Sequence, residues 1–288
     1  MKNKKPEMGR VLVMVADDGY IPHAKSVMVN CVRQGEWTDD FCLILPPDAD
    51  TEYFTSRGIY VLTDPEPGTF RKLALFDHFF NQQFTNERGG AEYKWETVLY
   101  LDADVLVQAP LEPLLHEVGW GRILADREMF SLRHAFTYWA SKPTVPESPE
   151  APALLKWLWA NYDHQWQQYN TGIMVWHPRT MPADARQQLS DMRQKIDPIN
   201  NHLYKGSDQS VINLVFQNKF ERVCSDLFCY WRSAWEETIV VHYCAAYAPW
   251  VKKGPEQNAY WSDRFDRPCR DVYLEHLAAF EEMFPVKE

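Results

Sequence analysis

The sequence predicts an α/β fold built on a largely parallel sheet, and three observations carry that reading. Apolar runs of strand length recur: "RVLVMVA" (10–16), "DFCLILP" (40–46), "GIYVLTD" (58–64) and "ETVLYLDADVLV" (96–107). Between them stand stretches with helical spacing, "IPHAKSVMVNCVRQ" (21–34) and "FRKLALFDHFF" (70–80), and such alternation builds parallel sheets flanked by helices. Carboxylates also gather at strand ends, as Asp17, Asp18 and the pair Asp102/Asp104. In parallel sheets ligands bind beyond the carboxyl ends of the strands.

Taken in order, 10–16 is a short buried strand, 21–34 a helix, 40–46 and 58–64 the second and third strands, 70–80 a helix, and 96–107 a fourth strand that runs into a turn. The stretch "SKPTVPESPEAP" (141–152) holds four prolines and reads as a loop. Beyond it come "YNTGIMVWHP", "GSDQSVINLVFQN" and "TIVVHYCAAYAPW". The last segment, "CRDVYLEHLAAFEEMF", spaces Val272, Leu274, Leu277, Phe280 and Met283 for a packing helix.

Composition excludes several function classes. A net charge of -10 sets a nucleic-acid backbone aside as partner. No apolar run reaches the roughly 18 residues of a membrane span. The basic start "MKNKKPEMGR" is followed by a strand too short for a signal-peptide core, so a cytoplasmic location is the expectation. The cysteines Cys31, Cys42, Cys224, Cys229, Cys244 and Cys269 form no C-x-x-C pair, which argues against structural zinc, and they read as buried thiols.

The chemistry concentrates at "YLDADVLV". Two carboxylates at i and i+2 beside a buried strand repel each other and call for a positive partner. A divalent ion with oxygen ligands is the simplest one. The alternative is a turn in which one Asp caps a helix and the other faces water. The haloacid-dehalogenase phosphatases also place D-x-D after a strand, but they need Thr or Val at the fifth position, where Leu106 stands, and their motif lies near the N-terminus.

The companions of the pair resemble the glycogenin-like retaining glycosyltransferases, glycosyltransferase family eight. "VADDGY" (15–20), "FRKLALF" (70–76), "YLDADVLV" (100–107), "YNTGIMVW" (169–176), "GSDQSVINLVF" (206–216) and "VVHYCAAYAPW" (240–250) follow the order of that family's motifs along nearly the whole chain. The resemblance implies a GT-A (nucleotide-diphospho-sugar transferase) fold, Rossmann-like, with a mainly parallel central sheet flanked by helices. It implies one domain over 1–288, with a nucleotide-binding half at 1–110 and an acceptor-side half with the C-terminal helix at 111–288.

The implied site follows residue by residue. Asp102, Asp104 and His242 would carry Mn2+ or Mg2+. Tyr20 would stack on uracil, and Asp17 and Asp18 would accept from the base or ribose. Ala16, Ala103 and Thr171 flank these positions in the donor site. Lys72 would touch the donor or hold Asp102 or Asp104. Asn170, Asp208 and Gln209 would face the sugar, with Asp208, Gln209 and Lys72 as the catalytic candidates. Retention would then proceed on one face, the leaving phosphate helping to deprotonate the acceptor. The final block departs from the family, with Ala245 and Ala248 where Gly and Lys are usual. Lys252 or Lys253 would replace the missing cation. Lys205 also stands where some relatives carry an acid.

The reading is therefore a metal-dependent hexosyltransferase using a UDP-sugar donor and a carbohydrate or glycosylated acceptor. The rival is a sugar-nucleotide-binding protein or donor hydrolase without efficient transfer, prompted by Ala245 and Ala248. Tryptophans concentrate after residue 119, among them Trp120, Trp139, Trp157, Trp159, Trp166, Trp176, Trp231, Trp235, Trp250 and Trp261; they are core or sugar-stacking residues and do not name the acceptor.

Overall fold

The computed structural model describes residues 9–79, 84–86, 91–93, 95–138, 149–204, 208–222, 228–230, 238–243 and 269–287. In chain order the elements are β1 (Arg10–Val15), α1 (Ile21–Arg33), β2 (Asp40–Leu45), α2 (Thr51–Thr55), β3 (Tyr60–Thr63), a 3-10 segment (Gly68–Ala74), α3 (Leu75–His78), β4 (Phe84–Asn86), β5 (Ala91–Tyr93), β6 (Thr97–Leu101), β7 (Val105–Val107), α4 (Glu112–His116), β8 (Ile123–Ala125), β9 (Arg127–Ser131), α5 (Leu132–Tyr138) and α6 (Ala151–Asn161). They continue with β10 (Gln167–Tyr169), β11 (Ile173–Trp176), a 3-10 turn (Pro178–Thr180), α7 (Ala185–Tyr204), α8 (Asp208–Val215), β12 (Phe220–Arg222), β13 (Phe228–Tyr230), β14 (Val240–His242), α9 (Cys269–Ala278) and α10 (Phe280–Met283).

A seven-stranded sheet forms the centre, in the order β12-β8-β11-β6-β1-β2-β3. The pairings β3–β2, β2–β1, β1–β6 and β8–β12 are parallel, and β11 runs antiparallel to both β6 and β8. Both faces of the sheet are covered. Along β1, Val11 and Val13 join one apolar cluster while Leu12 and Met14 join the other. Along β6, Val98 and Tyr100 go one way and Leu99 and Leu101 the other. This is the period-two alternation of a strand with helices above and below it.

The site-bearing loop lies where two sheets meet. β6 ends at Leu101, the chain turns through Asp102–Asp104, and β7 resumes in a separate three-stranded sheet of order β13-β14-β7. Thus "ETVLYLDADVLV" is two strands in two sheets. β7 is tied to α1 by buried Asn30, whose Nδ2 donates to the Val107 carbonyl at 2.9 Å and whose Oδ1 accepts the Val107 N–H at 2.7 Å. That one side chain satisfies both polar groups of a buried peptide.

Two expected helices take different forms. The stretch 70–80 is the 3-10 segment followed by the single turn α3. From Phe70 to Phe76 every residue is buried. A one-sided amphipathic helix cannot bury seven residues in a row, and a tighter turn packed between the sheet, α7 and α8 does so. The C-terminal helix breaks at Ala279 into α9 and α10. Its inner face consists of Val272, Tyr273, His276 and Phe280, whereas Leu274 is 41% exposed. Tyr273 takes the inner face because its hydroxyl meets His23 Nδ1 at 2.7 Å and its carbonyl accepts from Ser26 at 3.1 Å.

Pro152 lies in the first turn of α6, a position that asks nothing of its missing N–H. The remainder of the proline-rich stretch, 141–148, falls outside the described residues. So do Cys224, Cys244, Lys205, Ala245, Ala248, Trp250, Lys252, Lys253, Trp139, Trp231, Trp235 and Trp261. Cys31 and Cys42 are buried free thiols, and burial pushes both up beyond the ordinary thiol range. No helix among the described residues is long and apolar enough to cross a membrane.

Candidate active site

Four chain segments meet at the carboxyl edge of the parallel strands. The β6–β7 loop supplies Asp102 and Asp104. The turn before β11 supplies Asn170, Thr171 and Gly172, because antiparallel pairing of Ile173 with Leu101 brings it alongside Asp102. The end of β14 supplies His242, opposite Val105. The first turn of α8 supplies Asp208 and Gln209. Backbone bonds fix the aspartate loop at both ends: Asp102 N–H donates to the Gly172 carbonyl at 2.6 Å, and Tyr243 N–H to the Asp104 carbonyl at 2.8 Å.

Asp102, Asp104 and His242 each offer one ligand atom, and these atoms lie within 4.8 Å of one another. His242 is 6% exposed. Its Nε2 stands 3.0 Å from Asp104 Oδ1 and 3.6 Å from Asp102 Oδ2. Its Nδ1 lies 2.8 Å from Asn170 Oδ1. That oxygen also accepts the Gly172 N–H at 2.9 Å, which fixes the orientation of the Asn170 amide. Nδ1 therefore carries the hydrogen, and the Nε2 lone pair faces the two carboxylates. A lone pair and two carboxylate oxygens converging on one point suit a divalent cation.

The imidazole lies directly on Gly172. A Cβ added there would stand 2.2 Å from Cε1 and 2.6 Å from Nδ1 of His242. This close approach, rather than any special backbone angle, requires glycine. Gly172→Ala is expected to keep the fold, push the ring off the ligand point and weaken Mn2+-dependent UDP binding at least about tenfold. Titration of UDP with and without Mn2+ checks this, and unchanged affinity would show that the ring has room to spare.

Lys72 joins Asp102 to Asp208 and the turn before β11. Its Nζ lies 3.0 Å from Asp102 Oδ1, 3.0 Å from Asp208 Oδ2 and 3.3 Å from the Thr171 carbonyl. Burial alone would lower its pKa, but Asp102 and Asp208 outweigh it and hold the ammonium above the ordinary lysine range. Of the two aspartates of the D-x-D pair, Lys72 lies beside Asp102, and its second carboxylate is Asp208.

Gln209 is held at both ends of its amide. Oε1 accepts from Asn170 Nδ2 and from the Thr171 N–H, each at 3.3 Å, and Nε2 donates to Gln168 Oε1 at 3.4 Å. Thr171 Oγ1 donates to Asp208 Oδ2 at 3.4 Å. Ala103 is buried between the two aspartates of the loop. At the end of β1, buried Ala16 donates its N–H to the Ile44 carbonyl at 3.1 Å, and the Asp17 side chain accepts the Tyr20 N–H at 3.2 Å. Asp17 therefore serves the start of α1, while Asp18 is exposed. Tyr20 is 44% exposed. Burial raises its pKa, and the Asp104, Asp17 and Asp102 charges add to the effect.

Sequence reasoning passed over three residues. Tyr100 is fully buried and donates its hydroxyl to Asp102 Oδ1. Burial, then the Asp102 charge, raises its pKa far above the ordinary range, so it remains a donor. Gln168 supports Gln209, and the Asp126 carbonyl accepts the Asn170 N–H at 2.8 Å. The available signal for Tyr100 was its alternation with Asp102 on one side of the strand.

The comparisons agree with this geometry. The profile of the family described as "Glycosyl transferase family 8" matches residues 91–254, more than half of the chain. No curated protein sequence matches the chain. Among solved structures, the galactosyltransferase LgtC in complex with donor and acceptor sugar analogs is similar at a TM-score of 0.61 and 13% identity, over 93% of this chain and 95% of that one. The glycosyltransferase GlyE in Streptococcus pneumoniae TIGR4 is similar at 0.57 and 17%, over 98% of this chain and 66% of that one. The bifunctional glycosyltransferase WbbM is similar at 0.59 and 13%, over 99% of this chain and 53% of that one. At these identities the neighbours show the fold alone, and that fold is GT-A. The family match then gives the identity: the chain belongs to glycosyl transferase family 8 and is a glycosyltransferase of GT-A fold.

Proposed function

We propose that the chain transfers a hexose from a UDP-sugar to a carbohydrate or glycosylated acceptor, with retention of configuration, using Mn2+ or Mg2+. The observation that carries this reading is the convergence of Asp102, Asp104 and His242 with Lys72, Asn170, Asp208 and Gln209 at one sheet edge. A divalent ion at the first three residues supplies Lewis-acid stabilisation of the departing diphosphate.

The protein's own residues do the remainder. Tyr100 holds Asp102 Oδ1 and Lys72 holds both oxygens, with Oδ2 on the side of His242. Asn170 fixes the His242 tautomer. Asp208 accepts from sugar hydroxyls, and Lys72 holds it in place. Gln209, beside it, has an amide oxygen that already takes two hydrogen bonds, which makes it a poor nucleophile and favours single-face retention. Tyr20 stacks on the base, with Ala16, Asp17 and Asp18 beside it and Ala103 and Thr171 flanking the diphosphate. Lys252 is the proposed cation in place of the family lysine missing at Ala248. The whole chain acts as one domain, with 1–110 receiving the nucleotide and 111–288 the acceptor.

The test is UDP release from a panel of UDP-sugars in Mn2+, with and without glycan mixtures. Release that depends on Mn2+ and rises with one acceptor class is the expected result. Release that no acceptor stimulates would favour the donor-hydrolase reading prompted by Ala245 and Ala248. Turnover of another nucleotide's sugar in place of UDP-sugars would overturn the donor assignment.

A further inference from the structure

We propose that the C-terminal helix α9 is a working part of the donor site: Tyr273 holds His23, and His23 holds the Tyr20 ring in the attitude that receives a nucleobase. The proposal rests on the reading of Tyr20 given above and adds the residues that position it.

The observations form a chain from the surface inward. Tyr20 precedes α1, and its ring meets His23, one turn into that helix, edge-on at 5.6 Å and 77°. Residues at i and i+3 share a helix face. The far side of the His23 ring is not left to thermal motion. Its Nδ1 lies 2.7 Å from the Tyr273 hydroxyl, and the two rings stand 5.3 Å apart. Burial lowers the His23 pKa to about 4, with the Asp104 charge opposing, so the imidazole is neutral at working pH.

Tyr273 is itself fixed. It is 7% exposed, and its carbonyl accepts the Ser26 hydroxyl at 3.1 Å. Glu275 pairs with Arg33 at 3.0 Å farther along α1. These contacts hold α9 in register with α1. They also account for the inner face of α9 containing Tyr273 while Leu274 faces water. Hydrophobic packing alone would choose the leucine. An aromatic platform that is ordered before the ligand arrives spares the ligand the loss of rotamer freedom on stacking. His23 and Tyr273 thus act through Tyr20 as positioning residues. Tyr273 also lies beyond the matched stretch 91–254.

The experiment measures UDP and uridine binding in Mn2+ by calorimetry for Tyr20→Ala, His23→Ala, Tyr273→Phe and the doubles with Tyr20→Ala. Tyr20→Ala is expected to weaken both ligands about tenfold or more, and His23→Ala and Tyr273→Phe by about three- to tenfold. In the Tyr20→Ala background the other two substitutions are expected to add nothing, since a residue that acts through Tyr20 has nothing left to position. Binding of Mn2+ alone, followed by the resonance of the free ion, stays at the parent level throughout. Parent-like affinity in both His23→Ala and Tyr273→Phe, beside a damaged Tyr20→Ala, overturns the proposal and leaves the Tyr20 reading standing. Losses that add in full to that of Tyr20→Ala also overturn it. An undamaged Tyr20→Ala removes the base platform and this inference together.

Discussion

Asp102→Asn and Asp104→Asn are each expected to lower turnover at least about a hundredfold and to remove the Mn2+ dependence of UDP binding, while the thermal midpoint stays close to the parent. Disturbing the outer partners of a metal ligand costs 10–100-fold in affinity or activity, and losing a ligand costs more. The charge change falls on the atoms that matter. Asp104 Oδ1 stands 3.0 Å from His242 Nε2, and Asp102 takes Tyr100 on Oδ1 and Lys72 across both oxygens, with Oδ2 3.6 Å from His242 Nε2. Asparagine keeps the shape and one acceptor, so Lys72 retains Asp208 and the fold survives. Circular dichroism and UDP titrations with and without Mn2+ read the two effects separately. Near-normal turnover in either variant would sink the metal reading.

Lys72→Met is expected to be the most destabilising single change in the site, by ~3–5 kcal/mol in chemical denaturation, because it leaves buried carboxylates without their cation. Asp208 is 6% exposed, and Lys72 Nζ bonds it and Asp102 at equal distance. Lys72→Arg keeps the charge and is expected to recover part of the loss. The pH dependence follows from the sign of the shift. Against the effect of burial, Asp102 and Asp208 raise the folded pKa of Lys72 above the ordinary lysine value of about 10.4. Its contribution is therefore fully present below that value and is lost as pH rises through the folded one. The gap between parent and Lys72→Met is thus expected to stay constant from neutral pH to about pH 10. A gap below about 1 kcal/mol would mean that water reaches these carboxylates once the lysine is gone.

Much of this was legible in the sequence because strand patterning is local. β1, β2 and β6 each show the apolar run that a sheet buried on both faces demands. The site residues were legible as motifs, and the structure brings Lys72, Asp102, Asp104, Asn170, Thr171, Asp208, Gln209 and His242 together. What escaped was set by tertiary partners. The 3-10 form of 68–74 depends on covering from all sides, which a single helix face does not announce. The inner face of α9 depends on His23 and Ser26, about 250 residues upstream. Tyr100 looked like one more apolar strand residue until its hydroxyl was seen on Asp102.

The aspartate loop, fastened at Asp102 by Gly172 and at Asp104 by Tyr243, also has a bearing on how the chain folds. The site joins positions 138 residues apart at Asp104 and His242, and 99 apart at Lys72 and Thr171. Closing such long loops is entropically costly, and contacts between nearby strands form without that delay. A nascent chain can therefore hold β1 and β2 in register while the ligand point still lacks its imidazole. Turnover reports the last closure in folding and not the first, so the active fraction of a preparation counts completed molecules where a helix or strand signal would count unfinished ones as well.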